Sequence, residues 1–189
     1  MLFVHPDYAI TGIVYSSGSE FEIFLWDIVG QMAQTGLRLA GLIQHSQPKP
    51  GRAKCDMFLH DLATGGLHPI SDDRGSEARG CVLNPDRLLR ACDAAMAGLG
   101  GETDILVLCK FGKAEVEGGG FRTLMASALE LGVPVLIGVP LVNLAAFRQF
   151  AGDLACVVDM SEPEGCRPPV AQSPWPGGGP TDRPLAGAA

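Results

Sequence analysis

The sequence predicts a three-layer α/β domain built on a parallel sheet, and three observations carry that prediction. From Asp104 to Pro140 the chain reads DILVLCKFGKAEVEGGGFRTLMASALELGVPVLIGVP: an apolar run, a turn dense in charge and glycine, an amphipathic segment and a second apolar run. That order is strand, loop, helix, strand, the unit that joins two parallel strands through a helix laid on the sheet. Near the start, Ala9–Tyr15 is a short β-rich apolar run followed by apolar residues at 21, 24, 25, 28 and 32, which fall on one helical face. Finally, 189 residues suit one domain with a substantial core. We expect a single domain over 1–160.

Between these landmarks the elements follow in order. Ser19 with Glu22 three residues on has the spacing of a capping box at the start of the first helix. Leu39–Gln44 reads as the next strand. Cys55–Leu62 and Leu67–Ile70, separated by Ala-Thr-Gly-Gly, read as a β-hairpin inserted at about 54–72. Asp72–Cys81 is a polar loop. Asn84-Pro85 opens a helix with Asn as cap and Pro in the first position, and Leu88, Leu89, Cys92, Met96 and Leu99 supply its apolar stripe. Beyond Pro140 the pattern predicts a helix around Asn143–Phe150 and a strand near Cys156–Val158. The segment 161–189 holds seven of the 14 prolines and almost no apolar periodicity, so it is expected to be a disordered tail.

Composition excludes several classes. A net charge of −7 disfavours a nucleic-acid-binding role, which needs a basic face. No apolar run approaches the roughly 20 residues that span a bilayer. The start, MLFVHPDY, lacks a charged segment followed by an apolar one, so no secretory signal is read there. Six cysteines without CxxC spacing fit reduced thiols better than a disulfide framework, and the chain is expected to be cytoplasmic.

Parallel sheets bind ligands beyond the carboxyl ends of their strands, so the loops there hold the candidate site. At the end of the first strand of the Asp104–Pro140 unit, Lys110-Phe-Gly112-Lys113-Ala-Glu115 places two lysines three residues apart, a pairing suited to an oxyanion through charge-assisted hydrogen bonds. The plainer alternative is a solvated loop in which Lys113 pairs with Glu115 or Glu117. Arg74 and Arg79, each followed by glycine, suit close approach to a tetrahedral oxyanion, or equally a loop pinned by its own acidic neighbours. Cys55 and Cys81 are the better thiol or metal candidates, although the paired spacing of structural zinc is missing. The turn after the first strand, Tyr15-Ser-Ser-Gly-Ser-Glu-Phe-Glu-Ile-Phe24, stands where a GxxxxGK[ST] phosphate loop would sit, yet has no lysine and carries Glu20 and Glu22.

Gly112-Lys113-Ala114-Glu115 resembles the GKME of a small family of P-loop nucleoside triphosphatases, whose corresponding strand ends in a DEIGKME-type motif. The segments CDMFLHDLATGG, ISDDRG, RGC and KFGKAEVEGGGF are closer to a bacterial domain of unknown function that resembles those triphosphatases, has lost their phosphate loop and is associated with molybdenum handling. The resemblance covers about Ala9–Asp153. It implies a P-loop-like three-layer fold. Cys109 and Lys110 stand where the triphosphatases carry the acidic pair that positions magnesium and water, so the electrostatic parts of phosphoryl transfer are absent. The resulting expectation is a non-hydrolytic binding protein for a small anion, either a nucleotide or an oxyanion such as molybdate, held by Lys110, Lys113, Arg74, Arg79 and the backbone at Gly112 and 118–120. The alternatives are a nucleoside triphosphatase with rearranged groups, in which Glu115 or Glu117 holds magnesium with nucleotide, and a thiol or metal protein centred on Cys55 and Cys81.

Overall fold

The computed structural model describes residues 7–47, 55–72 and 83–161. Seven strands form one mixed sheet: β1 (Ile10–Tyr15), β2 (Leu39–Gln47), β3 (Asp56–Asp61), β4 (Leu67–Pro69), β5 (Ile105–Leu108), β6 (Val135–Pro140) and β7 (Ala155–Asp159). Their order is β4-β3-β2-β5-β6-β1-β7. β2, β5, β6, β1 and β7 run parallel, and the hairpin β3–β4 continues the β2 edge antiparallel. The helices are α1 (Gly18–Gln34), α2 (Pro85–Gly98), the short α3 (Lys113–Val116), α4 (Arg122–Glu130) and α5 (Leu144–Ala151). The mixed α/β architecture is consistent with a P-loop-like fold.

Two glycines show how the layers stack. Gly12 pairs with Ile137, so both point to one face, and Gly138 points to the other. A side chain at Gly12 would strike the Phe147 ring of α5, and one at Gly138 would strike the Phe21 ring of α1. Helices therefore cover both faces, and the sheet lies between them. The inner strands accordingly read as continuous apolar runs: Ile105, Leu106, Val107 and Leu108 are all buried, as are Val135, Leu136 and Ile137.

Local signals explain most element ends. The Asn84 side chain accepts from Arg87 N at 3.0 Å and Pro85 opens α2, as the sequence anticipates. The stripe of α2 is corrected in part: Leu88 and Cys92 are buried together with Ala91 and Ala95, whereas Leu89 is 59% exposed. The expected capping box of α1 does not form. Ser17 is the cap residue, its side chain making no bond to the helix amides, and Glu22 turns away to bind β2. The single helix expected between β5 and β6 is divided into α3 and α4 by the turn at 117–121, for a reason given below. The expected tail, apart from Ser161, lies outside the described residues, as do Arg74, Arg79 and Cys81.

Candidate functional site

Three parallel strands release their chains at one cleft of about 510 Å³. Tyr15 closes β1, Gln44 and Ser46 form the polar outer half of β2, and Cys109 and Lys110 follow β5; Gly18 and Ser19, in the first turn of α1, complete the rim. This is the carboxyl edge of the sheet, where such folds place ligands. The connection from β1 to α1 is only Ser16-Ser17, so α1 begins directly at the strand end with its first amides unserved by a capping side chain.

The floor is apolar. Tyr15 and Phe21 stack with ring centroids 4.1 Å apart and planes 5° from parallel. Leu25 and Cys109 extend this surface, and Ile23, 66% exposed, stands at its edge. Burial, with a smaller contribution from Cys109, raises Tyr15 above the ordinary phenol range, so its hydroxyl stays protonated. Burial likewise pushes the Cys109 thiol up to about 12, against a smaller lowering pull from Lys110.

The polar side is one connected chain of hydrogen bonds. Lys110 Nζ donates to Gln44 Oε1 at 3.0 Å, and Gln44 Nε2 donates to Ser46 Oγ at 2.9 Å and Glu22 Oε2 at 3.3 Å. Ser46 gives Glu22 two more bonds, from its backbone N and its hydroxyl, each 2.8 Å. Gln44 thus stands between the ammonium and the carboxylate. One bond to Gln44 leaves Lys110 further N–H donors, while Glu22 is largely consumed by its own partners.

The loop after Lys110 is organised around Glu115, which is 2% exposed. Its Oε2 accepts from Gly112 N at 2.7 Å and its Oε1 from Phe121 N at 2.9 Å. Its carbonyl accepts from Arg122 Nε at 2.6 Å, and the Arg122 guanidinium lies 4.5 Å from the Phe150 ring centre. Gly118 (φ 96°) and Gly120 (φ 60°) supply the left-handed turns that bring Phe121 back over the carboxylate. A Cβ at Gly120 would collide with Glu115 itself. This wrap separates α3 from α4. Burial raises the Glu115 pKa, opposed chiefly by those backbone hydrogen bonds.

The sequence-derived candidates therefore separate. Lys110 lines the cleft. Lys113 does not; 85% exposed, its Nζ lies 3.5 Å from Glu117 Oε1, one turn along. Gly112 donates its amide to Glu115. Glu115 is enclosed whereas Glu117 is exposed, and among the described residues no group of three or more His, Cys, Asp or Glu side chains gathers as a metal site would. Cys55 is an exposed free thiol on the cleft wall. The residues that sequence reasoning missed are Gln44, Ser46 and Tyr15, together with Glu22 in its actual role. The available signal was the change along β2 from buried Ala40–Ile43 to polar Gln44 and Ser46, which marks a strand leaving the core.

A three-layer α/β protein with a cleft at the carboxyl edge of its sheet is the class that fold and site define. Residues 10–165 match the family described as "Protein of unknown function (DUF2478)", and the chain belongs to that family. Over 145 residues, 77% of the chain, it is 29% identical to a protein of Bradyrhizobium diazoefficiens (strain USDA 110) named molybdenum import ATP-binding protein ModC 2. The match spans only 16% of that relative's length. No solved structure matches the chain. Among the described residues no helix is long and apolar enough to cross a membrane.

Proposed function

We propose that this protein binds a small anion in the cleft over β1, β2 and β5 without hydrolysing it, with Lys110 as its charge partner. The observation that carries the reading is the Lys110 ammonium, fixed on Gln44 at 3.0 Å in the cleft whose rim also includes Gly18 and Ser19, in the first turn of a 17-residue helix. Cation and helix amides favour negative charge in the cleft, against the opposing carboxylates of Glu20 in the first turn and Glu22 on the wall. The relative's name, which speaks of ATP and of molybdenum import, makes a nucleotide and molybdate the two anions to try first.

The same geometry supports the non-hydrolytic part of the reading. Two residues between β1 and α1 are too few to wrap a triphosphate as a phosphate loop does. Cys109 and Lys110 occupy the strand end where phosphoryl transfer needs carboxylates. For Glu115 to hold magnesium it would have to surrender the Gly112 and Phe121 amides, exposing two buried donors.

A thermal-shift panel tests the reading: ATP, GTP, phosphate, sulfate, molybdate and tungstate, each with and without magnesium. At least one anion should raise the melting temperature of the wild type and of Lys113→Ala but not of Lys110→Ala. Stabilisation that survives Lys110→Ala, or magnesium-dependent phosphate release from ATP, would refute it.

A further inference from the structure

We infer that the cleft is built for an organic anion, one with a flat apolar or aromatic body and a single charged end, rather than for a bare inorganic oxyanion. This rests on the proposal that Lys110 binds an anion, and names the class of ligand. Three observations carry it.

The first is size. A cleft of about 510 Å³ lies within the range of roughly 300–1,000 Å³ typical of sites for small organic molecules. A tetrahedral oxyanion fills a small fraction of that space and can be enclosed by a few amides.

The second is the distribution of polarity. Lys110 stands at one side, and the exposed Ile23, with the edges of the otherwise buried Tyr15, Phe21 and Leu25, makes the apolar side of the cleft. An inorganic ion gains nothing from an apolar surface, which cannot replace its hydration. An aromatic or apolar body gains by covering it.

The third is charge. Lys110 is opposed by Glu22, which lines the same cleft one glutamine away. A bare oxyanion large enough in charge to seek Lys110 also meets this carboxylate, with no second described lysine or arginine on the wall to offset it. An extended ligand meets the same carboxylate with its anionic group on Lys110, but can offset that cost by laying its neutral part along α1. Gln44, holding the ammonium by its carbonyl and the carboxylate by its amide, keeps the two charges apart and so positions the charged end.

Titration calorimetry with phenyl phosphate, inorganic phosphate and molybdate, on wild type, Lys110→Ala and Ile23→Ser, separates the possibilities. Ile23 is solvent-exposed, so its replacement leaves the core intact, and a circular-dichroism melt of the free variant checks this. Phenyl phosphate should bind the wild type about tenfold or more tighter than inorganic phosphate, in line with the worth of apolar contacts in a pocket. Ile23→Ser should erase much of that preference while leaving inorganic phosphate unchanged, and Lys110→Ala should lose both. If phosphate or molybdate binds as tightly as phenyl phosphate and depends on Lys110, the ligand class is wrong and anion binding stands. If no anion depends on Lys110, both fail.

Discussion

At the scale of single residues, the molecule assigns its charged groups to two different tasks. Lys110 and Glu115 lie five residues apart in one motif, yet one faces a cleft and the other is sealed inside a loop. Glu115 accepts from two backbone amides, so Glu115→Gln turns an amide NH₂ toward one of them and leaves a buried donor without its acceptor. Equilibrium denaturation should show a loss of about 1–3 kcal/mol. Gly120→Ala should cost at least as much, because it adds a left-handed strain to a collision with Glu115; a variant as stable as wild type would contradict the proposed wrap. The buried thiols Cys92 and Cys109 give a pH signature. Burial lifts both from 9.0 to about 12, so the stability tied to their protonated forms is complete below pH 9 and is lost as pH rises toward 12. The fall is roughly 1.4 kcal/mol per pH unit for each thiol. In urea titrations between pH 8 and 10.5, Cys109→Ser should flatten this alkaline decline relative to wild type.

At the scale of elements, α1 is fastened to the sheet by a carboxylate rather than closed on itself. Ser19 and Glu22 have the sequence of a capping box, but Glu22 binds Ser46 and Gln44 of β2 and leaves the helix start open to the cleft. Tertiary partners thus outweighed a local pattern, which is why the sequence suggested a self-satisfied turn where the structure has an unserved helix end. Glu22→Ala should remove three hydrogen bonds between α1 and β2 and cost about 1–2 kcal/mol, since each is worth near 1 kcal/mol net and the site is partly solvated. It should also leave Lys110 facing less negative charge, so inorganic phosphate should bind that variant better than wild type in the same titration.

At the scale of the whole molecule, the parallel core was legible because buried strands flanked by helices leave continuous apolar runs, and the Asp104–Pro140 unit is the clearest of them. The hairpin was legible from its glycine turn, and α2 from Asn84-Pro85. What the chain did not disclose was convergence. Gln44 and Ser46 come to the cleft from β2, and Lys110 from β5, 66 residues beyond Gln44; no local spacing records that meeting. Sequence alone also could not separate Lys110 from Lys113, because which way each turns depends on a loop folded around a buried glutamate. The family's description names no function, and ATP and molybdenum import are named only for the relative, of which the match spans 16%. On the reading proposed above, the cleft takes an anion that one lysine can hold. The most direct measurement is calorimetric titration of the anion that best stabilises the wild type, repeated on Lys110→Ala. The account predicts an affinity at least about tenfold weaker in the variant, as expected when a charge-assisted hydrogen bond worth 1.5–3 kcal/mol is removed; equal affinity in the two proteins would contradict it.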